Sequence, residues 1–262
     1  MAQDEKERLL GYLAEVHRPA FRRCYEELAR PAQQEGLSYE RFLLHVAERE
    51  CQERRDKRIE RLPRQSRLPL EKSWSALELK RFPAKVLHQA RTLLEGSFVD
   101  HCENVLVFGQ PGSGKTHLLV AIGQELVRSG RKVQFWTTGL RVQDLLIAKR
   151  DLKLSRALKR LSGYEVLILD DLGYVQQSRE EMEVLFTLLA ERYERGSVLL
   201  TSNLPFSGWE AIFKDPMTTA AAIDRLVHHA VIIELNLPSY RVEQAKKAKG
   251  RGAGSSEEPP PS

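Results

Sequence analysis

The chain contains few cysteines, and their arrangement excludes two classes of small domain. Its 262 residues include only three, Cys24, Cys51 and Cys102, which are odd in number and widely separated. They form no CxxC pair and no zinc-type spacing with the seven histidines, so the sequence indicates neither a disulfide framework nor a zinc finger. The adjacent His228 and His229 also lack metal partners at a suitable spacing, and we interpret them as structural. Three ordinary thiols are typical of a protein from a reducing cytosol.

Long apolar runs and internal repeats are missing as well. No run approaches the ~20 residues that a helix needs to cross a bilayer. The N-terminal stretch MAQDEKERLLGYL is charged and lacks the apolar core of a signal peptide. We therefore expect a cytoplasmic protein with no membrane segment.

What the chain has in quantity is charge, with a basic excess. Apolar residues make up 42%, which is ample for a packed core, while charged residues make up 29% and give a formal net charge of +5. A pI near 9.1 favours a polyanionic partner, although this signal is modest by itself. The length fits one large domain, or a large domain with a small companion.

Composition and periodicity divide the chain into four stretches. We predict a small helical domain over residues 1–66, a connector over 67–100, a larger domain over 101–245 and a disordered, low-complexity tail over 246–262. In the connector, six apolar side chains are expected to pack on the larger domain: Leu68, Leu70, Trp74, Leu77, Leu79 and Phe82.

Apolar strands alternate with amphipathic helices throughout the larger domain. The strand candidates are residues 104–108, 133–137, 165–170, 198–202 and 230–235. Helical patterns fall among them at 115–128, 140–149, 153–161, 179–194 and 217–228. This alternation is typical of a parallel sheet with helices on both faces. The predicted fold class is therefore α/β, with a five-stranded parallel sheet.

The most specific pattern is a glycine-rich stretch that fits G-x-x-x-x-G-K-[ST], the phosphate-binding P-loop. An apolar run at 105–108 precedes it as a strand should, and a helical pattern follows it. Backbone N–H groups of such a loop and the positive end of its helix surround a phosphate. We expect the whole loop to bind a nucleotide: Gly109, Gln110, Pro111, Gly112, Ser113, Gly114, Lys115 and Thr116. Lys115 would reach the β- and γ-phosphates, and the Thr116 hydroxyl would ligate Mg²⁺.

An acidic pair ends the third predicted strand. The four apolar residues at 166–169 run directly into Asp170 and Asp171, 55 residues after Lys115. Following a P-loop, this order indicates chemistry rather than a solvated turn. Asp170 would hold Mg²⁺ directly or through water, and Asp171 could deprotonate an attacking water.

Polar residues farther along are weaker candidates. Thr201 or Asn203, after the fourth strand, could contact the γ-phosphate or the water, or Asn203 could be only a turn residue. Arg225 could reach the γ-phosphate of a neighbouring subunit, or could form a surface ion pair. Arg241 could contact the nucleotide, or could be an ordinary surface arginine.

A basic stretch lies near the end of the predicted helical domain. Residues 49–67 hold eight lysines and arginines against four acids. Such a stretch could contact a nucleic-acid backbone, which attracts positive charge without regard to sequence. A solvated charged helix is the alternative. The candidate contacts are Arg54, Arg55, Lys57, Arg58 and Arg61.

Taken together, these stretches resemble the IstB-type transposition helper ATPases, relatives of the DnaC-type helicase loaders in the AAA+ class. The resemblance covers about residues 8–245. It rests on GKTHLLVAIGQELVRSG at 114–130, LILDDLGY at 167–174, LLTSNLPFSGW at 199–209, AAIDRLVHHAVIIEL at 221–235 and SYR at 239–241. LSYERFLLHVAERECQERRDKRIERL at 37–62 resembles the small helical domain that these helpers carry.

The resemblance implies an AAA+ core that binds ATP and Mg²⁺ and is active as an oligomer. It also implies ATP-dependent, largely sequence-nonspecific binding of duplex DNA and its delivery to a partner transposase. By position, Asp171 would be the catalytic acid, Asn203 the first sensor and Arg225 a finger acting in trans. His117, directly after the P-loop, and Arg241 are included among the nucleotide contacts.

Three other functions remain open at this point. A replicative helicase loader would prefer single-stranded DNA and would bind a hexameric helicase through its N-terminal domain. A P-loop small-molecule kinase is a different class, against which Asp171 argues. A nucleotide switch that hydrolyses ATP negligibly is the third.

Overall fold

The computed structural model describes residues 3–173, 178–240 and 242–243 of the chain. They fall into two units, Met1–Arg61 and Leu62–Ser262. The predicted tail, residues 246–262, and Arg241 lie outside the described residues. No helix in the described ranges is long and apolar enough to cross a membrane.

The first unit is built from helices. They are α1 (Gln3–Glu15), α2 (Pro19–Gln34) and the greater part of α3 (Tyr39–Ser66). Pro19 stands at the start of α2, where its fixed φ suits a helix and its missing N–H costs nothing. Cys24, Tyr25 and Val46 form the buried centre, so two of the helices share one small core.

A buried carboxylate joins α2 to α3 in this unit. Glu50 Oε2 accepts a hydrogen bond from Phe21 N–H at 2.9 Å, and Glu50 Oε1 accepts one from Arg54 Nε at 2.7 Å. Although burial alone raises the pKa of the Glu50 carboxyl, these hydrogen bonds hold that pKa below its usual range. The ionised side chain therefore fixes α3 against the first turn of α2.

The second unit alternates strands and helices as the sequence predicts. Short 3₁₀ turns at Trp74–Ala76, Leu79–Arg81 and Phe206–Gly208 accompany them. The strands are β1 (Asn104–Gly109), β2 (Val133–Thr137), β3 (Val166–Leu172), β4 (Ser197–Ser202) and β5 (Ala230–Leu235). The helices are α4 (Ala84–Glu95), α5 (Ser97–Asp100), α6 (Lys115–Arg128), α7 (Thr138–Arg150), α8 (Leu154–Leu161), α9 (Arg179–Arg192), α10 (Glu210–Phe213) and α11 (Pro216–Val227).

All five strands are parallel, in the order β2-β3-β4-β1-β5, which confirms the predicted sheet. Because side chains alternate across a strand, β1 serves both faces. Val105 and Val107 pack with α4 and α6 on one face. Leu106 and Phe108 pack with α7, α9 and α11 on the other. The two apolar layers hold the carboxyl ends of the strands at one edge.

The connector packs on the sheet unit, with one exception. Leu68, Leu77 and Phe82 are buried in the core on the α6 face, and Trp74 and Leu79 pack against it. Leu70, which we expected to pack there, is 77% exposed. Its backbone carbonyl accepts from Gln124 Nε2 at 3.4 Å, so this segment is fixed through its main chain, and the side chain points outward.

A buried arginine holds the amino ends of two strands. Arg192, 3% exposed at the end of α9, donates to the carbonyls of Leu161, Tyr164, Glu165 and Ser197. Burial lowers the pKa of its guanidinium to about 10, so the group is charged at neutral pH. Its hydrogen bonds join the end of α8 and the entries to β3 and β4.

We expect Arg192→Leu to lower the free energy of unfolding of the sheet unit by about 2–3 kcal/mol, because buried carbonyls lose a charged donor. Urea unfolding read by tryptophan fluorescence measures this, since Trp74, Trp136 and Trp209 all lie in this unit.

The matched control is Arg195→Leu, three residues on. Arg195 pairs with Glu191 at 3.1 Å, but both side chains are more than half exposed. Such a pair contributes at most about 1 kcal/mol. Equal losses in the two variants would show that the buried hydrogen bonds of Arg192 are not special.

Candidate nucleotide-binding site

The predicted site residues come from three neighbouring strands. The sheet order places β4 between β1 and β3, so the P-loop after β1 and the acid pair of β3 lie at the same edge. In open parallel sheets, ligands bind outside the carboxyl ends of the strands. The topology therefore brings together residues that are far apart in sequence.

Two glycines of the P-loop are required by its backbone. Gly112 has φ +80°, and a Cβ there would lie 2.2 Å from Ser239 Oγ. Gly114 has φ +100°, and a Cβ there would lie 3.2 Å from Phe82 Cζ. Left-handed backbone and close neighbours together exclude larger side chains. The loop leads into α6, whose first-turn N–H groups and dipole favour an anion.

Lys115 lies under this loop, 5% exposed. Its Nζ donates to Gly109 O at 2.7 Å and to Gln110 O at 3.1 Å. The ammonium group is thus held at the inner surface of the loop. A phosphate bound in the loop would meet this charge.

Three oxygen-bearing side chains converge beside the lysine. Thr116 Oγ1 donates to Asp170 Oδ1 at 2.8 Å, and Thr201 Oγ1 donates to the same oxygen at 2.6 Å. Asp170 is 6% exposed. Hydroxyl and carboxylate oxygens are the ligands that Mg²⁺ prefers, and it commonly uses few of them. Thr116 and Asp170 therefore fit the predicted metal role.

A bulge separates the two acids. The pairing of β3 with β4 shifts between Leu169 and Leu172, and Asp171 has φ 60°. Asp171 N–H donates to Thr201 Oγ1 at 2.8 Å, which fixes the bulge. As a result Asp170 is buried behind the loop, while Asp171 lines the open cavity beside it. Neighbouring residues in sequence can thus have different roles.

The cavity beside the P-loop has a volume of about 510 Å³. One wall is the P-loop with Asp171, and the other comes from the connector at 71–82 and from Tyr240. His117, predicted as a nucleotide contact, also lines it, and His117 Nε2 lies 3.0 Å from Ser73 O. The cavity is large enough for a nucleotide whose phosphates lie on the loop.

The segment after β5 closes this wall. Tyr240 N–H donates to Gly112 O at 2.9 Å, and Tyr240 OH donates to Glu78 Oε1 at 3.3 Å. Arg81 Nη2 donates to Pro238 O at 2.8 Å. Sequence reasoning missed Glu78, Arg81 and Tyr240 and chose Arg241 instead. The SYR segment was a usable signal for Tyr240, but no local pattern marked the connector residues.

Asn203 lies just beyond β4, at the predicted edge. Its Oδ1 is buried and has no hydrogen-bond partner in the described part of the chain. A Cβ on Gly173, which follows the acid pair by one residue, would lie 3.4 Å from this atom. An unpartnered buried oxygen at such a place is consistent with a sensor, and that role stays a prediction.

Arg225 lies away from this cluster, at the opposite edge of the sheet. Asn104, the first residue of β1, donates through Nδ2 to Leu226 O at 3.0 Å, so the end of α11 lies at the amino edge. Strand β1 is six residues long, roughly 17 Å at about 3.3 Å per residue. Arg225 Nη1 donates to Ala221 O at 2.9 Å, and the guanidinium lies 4.8 Å from the Phe186 ring. The structure does not bring Arg225 to the P-loop of its own chain.

The predicted nucleic-acid contacts lie on α3 of the first unit, and all five are exposed. Arg54 binds Glu50 and the His17 carbonyl, and Lys57 lies 3.6 Å from Glu53. Among the residues that the structure describes, the other three form no ion pair: Arg55, Arg58 and Arg61.

Comparison with known sequences gives a consistent result. The profile of the family described as "IstB-like ATP binding protein" matches residues 12–248. A putative insertion sequence ATP-binding protein of Sinorhizobium fredii, y4iQ/y4nD/y4sD, is 40% identical over 94% of this chain and 83% of its own length. The insertion sequence IS21 putative ATP-binding protein of Pseudomonas aeruginosa is 36% identical over 85% of this chain and 84% of its own.

Solved structures agree on the fold. The DnaC helicase loader matches with a TM-score of 0.53 at 21% identity, over 62% of this chain and 98% of that one. The replication initiator DnaA bound to AMPPCP and single-stranded DNA matches with a TM-score of 0.56 at 15% identity, over 74% of this chain and 59% of that one. The sheet unit has an AAA+ P-loop fold, and the chain belongs to the IstB-like ATP-binding protein family.

Proposed function

We propose that the protein is an ATP-hydrolysing helper of DNA transposition, which assembles on duplex DNA and delivers it to a partner transposase. The observation that carries the enzymatic part is the placement of Asp170 and Asp171 beside the P-loop. One acid shares hydrogen bonds with Thr116, and the other lines the cavity. The relatives' description as insertion sequence ATP-binding proteins supports the transposition part.

The cradle residues divide the work of hydrolysis among them. Loop N–H groups and Lys115 would hold the β- and γ-phosphates and offset negative charge. Thr116 and Asp170 would hold Mg²⁺, which supplies further charge neutralisation when bound. Asp171 would take the proton of the attacking water, and its backbone hydrogen bond to Thr201 fixes its position.

The remaining charge on the γ-phosphate would be met from a second copy. Arg225 lies at the amino edge, roughly 17 Å from the cradle edge of its own chain by the length of β1. A neighbouring copy with its amino edge against this cradle would supply the missing cation. The proposal therefore requires an oligomer.

The first unit is the proposed DNA surface. Arg55, Arg58 and Arg61 are exposed without an acid partner among the described residues, so their charge is available to phosphates. Arg54 and Lys57 are partly neutralised by Glu50 and Glu53. A helicase loader for single-stranded DNA is the second candidate, favoured by the structural match to DnaC.

The test of the function is ATP turnover without DNA, with single-stranded DNA and with long nonspecific duplex. We expect stimulation by duplex, because assembly on DNA would bring Arg225 to its neighbour's site. Stimulation mainly by single strands would favour the helicase loader. If ATP binds but neither DNA changes turnover, DNA is not the regulator.

For Asp171→Asn we expect turnover to fall by about 10²–10⁴-fold, since a general base is lost, with ATP affinity nearly unchanged. Lys115→Ala is the matched variant in the same cavity, and it should lose ATP binding itself. Single-turnover hydrolysis and calorimetry separate the two effects. Unchanged turnover in Asp171→Asn would remove Asp171 as the base.

Arg225→Ala should reduce turnover at least about tenfold, because a transition-state cation is lost. Mixing it with Lys115→Ala should restore part of the activity, since one mixed interface then combines an intact cradle with an intact arginine. Mixing Lys115→Ala with Asp171→Asn is the control, because neither copy then has an intact cradle. No recovery in the first mixture, with assembly intact, would contradict action in trans.

Reversing Arg55, Arg58 and Arg61 to glutamate should weaken DNA binding and flatten its salt dependence by up to about three times 0.9 in log–log slope. The control reverses Arg8, Arg18 and Arg30, which are exposed in the same unit and give the same change in net charge. Fluorescence anisotropy at several salt concentrations measures the slopes. Equal slopes in both variants would place the DNA surface elsewhere.

A further inference from the structure

A second cavity lies at the amino edge of the sheet, far from the P-loop. It has a volume of about 310 Å³, and His101, Cys102, Arg225 and His229 are among its lining residues. At this place α9 and α11 end and β5 begins. The cavity has no part in the cradle described above.

Three potential metal ligands meet beside this cavity. One ligand atom each of Glu194, His228 and His229 lies within 4.8 Å of the other two. Around a tetrahedral Zn²⁺ with bonds near 2.0–2.1 Å, ligand atoms lie roughly 3.3 Å apart. The three side chains are exposed, so small rotations would close the remaining distance. Two imidazoles and one carboxylate form a donor set that proteins use for zinc.

The backbone that carries these side chains is fixed. His229 O accepts from Asn104 N–H of β1 at 2.7 Å, and His228 N–H donates to Asp224 O at 3.0 Å. Glu194 has φ 56° in the turn after α9, a left-handed conformation that is uncommon for glutamate. The three residues therefore start from defined positions.

One imidazole is also oriented through its second nitrogen. Tyr193 OH lies 3.1 Å from His228 Nδ1, and Tyr193 directly precedes Glu194. Histidines that bind metals typically have their other ring nitrogen in a hydrogen bond of this kind, which fixes the ring and its tautomer. Nε2 of His228 is thereby left as the donor for an ion.

Charges around the cluster are compatible with a cation. Glu194 brings a negative charge, and Asp100, the other carboxylate lining the cavity, is engaged by Arg131 at 2.7 Å. Arg225 is the opposing positive charge, but its Nη1 binds the Ala221 carbonyl and its guanidinium lies 4.8 Å from the Phe186 ring. The carboxylate of Glu194 can therefore serve an ion.

We propose that Glu194, His228 and His229 bind a divalent transition-metal ion of the zinc class, with solvent in the open coordination position. The ion would join the turn after α9 to the end of α11, one helical turn from Arg225. Sequence spacing did not reveal the site, because Glu194 lies 34 residues before His228. This inference does not rest on the proposed ATPase function.

The test titrates the full chain with ZnCl2 in excess MgCl2, which suppresses binding at oxygen-only sites. Competition with a chromophoric zinc chelator gives the affinity. We expect one site, weakened at least about tenfold in His229→Asn and in Glu194→Gln. Tyr193→Phe, which removes only the hydrogen bond to His228, should weaken binding about tenfold. His88→Asn is the control, an exposed histidine on α4 outside the cluster.

Zinc should also raise the thermal midpoint of the wild type and of His88→Asn, and leave the midpoints of the two ligand variants unchanged. ATP binding in all variants should stay normal, which separates this test from the ATPase proposal. Zinc binding that survives in both ligand variants would overturn the site. Loss of binding in Cys102→Ser would overturn it too, because the ion would then belong to a thiol site.

Discussion

Two hydrogen bonds that meet on one carboxylate oxygen hold the cradle together. Asp170 Oδ1 accepts from Thr116 at the start of α6 and from Thr201 near the end of β4. Thr201 in turn accepts from Asp171 N–H. The P-loop helix, the acid pair and the neighbouring strand are therefore positioned by a single buried group. In a site of low dielectric such bonds are strong, and an ion bound there would act on all three segments at once.

The outer wall of the cavity depends on contacts of very long sequence separation. Arg81 reaches Pro238, and Glu78 reaches Tyr240, across more than 150 residues. Tyr240 N–H also binds the P-loop directly at Gly112. A nucleotide in the cavity would thus contact the connector that follows α3 and the segment that follows β5. These two segments are the natural routes by which nucleotide state could reach the rest of the chain.

Local patterns predicted the parts of the structure that local physics determines. The P-loop, its flanking strand and helix, and the order of five parallel strands follow from glycine spacing and apolar periodicity. The bulge at Asp171 could not be predicted, because it depends on Thr201, thirty residues away. The same limit hid Glu78, Arg81 and Tyr240, and it hid the approach of Glu194 to His228. The outward position of Leu70 shows that an apolar residue in a connector need not pack.

The opposite positions of Lys115 and Arg225 constrain how copies can assemble. If both act on one nucleotide, the amino edge of one copy must face the carboxyl edge of the next, which is a heterologous contact between different surfaces. Such contacts close into a ring or continue as an open helical assembly. In a ring every site is complete, whereas an open assembly always leaves one terminal cradle without its arginine. Hydrolysis would then depend on the number of neighbours, and a copy at the exposed end would keep its ATP longest.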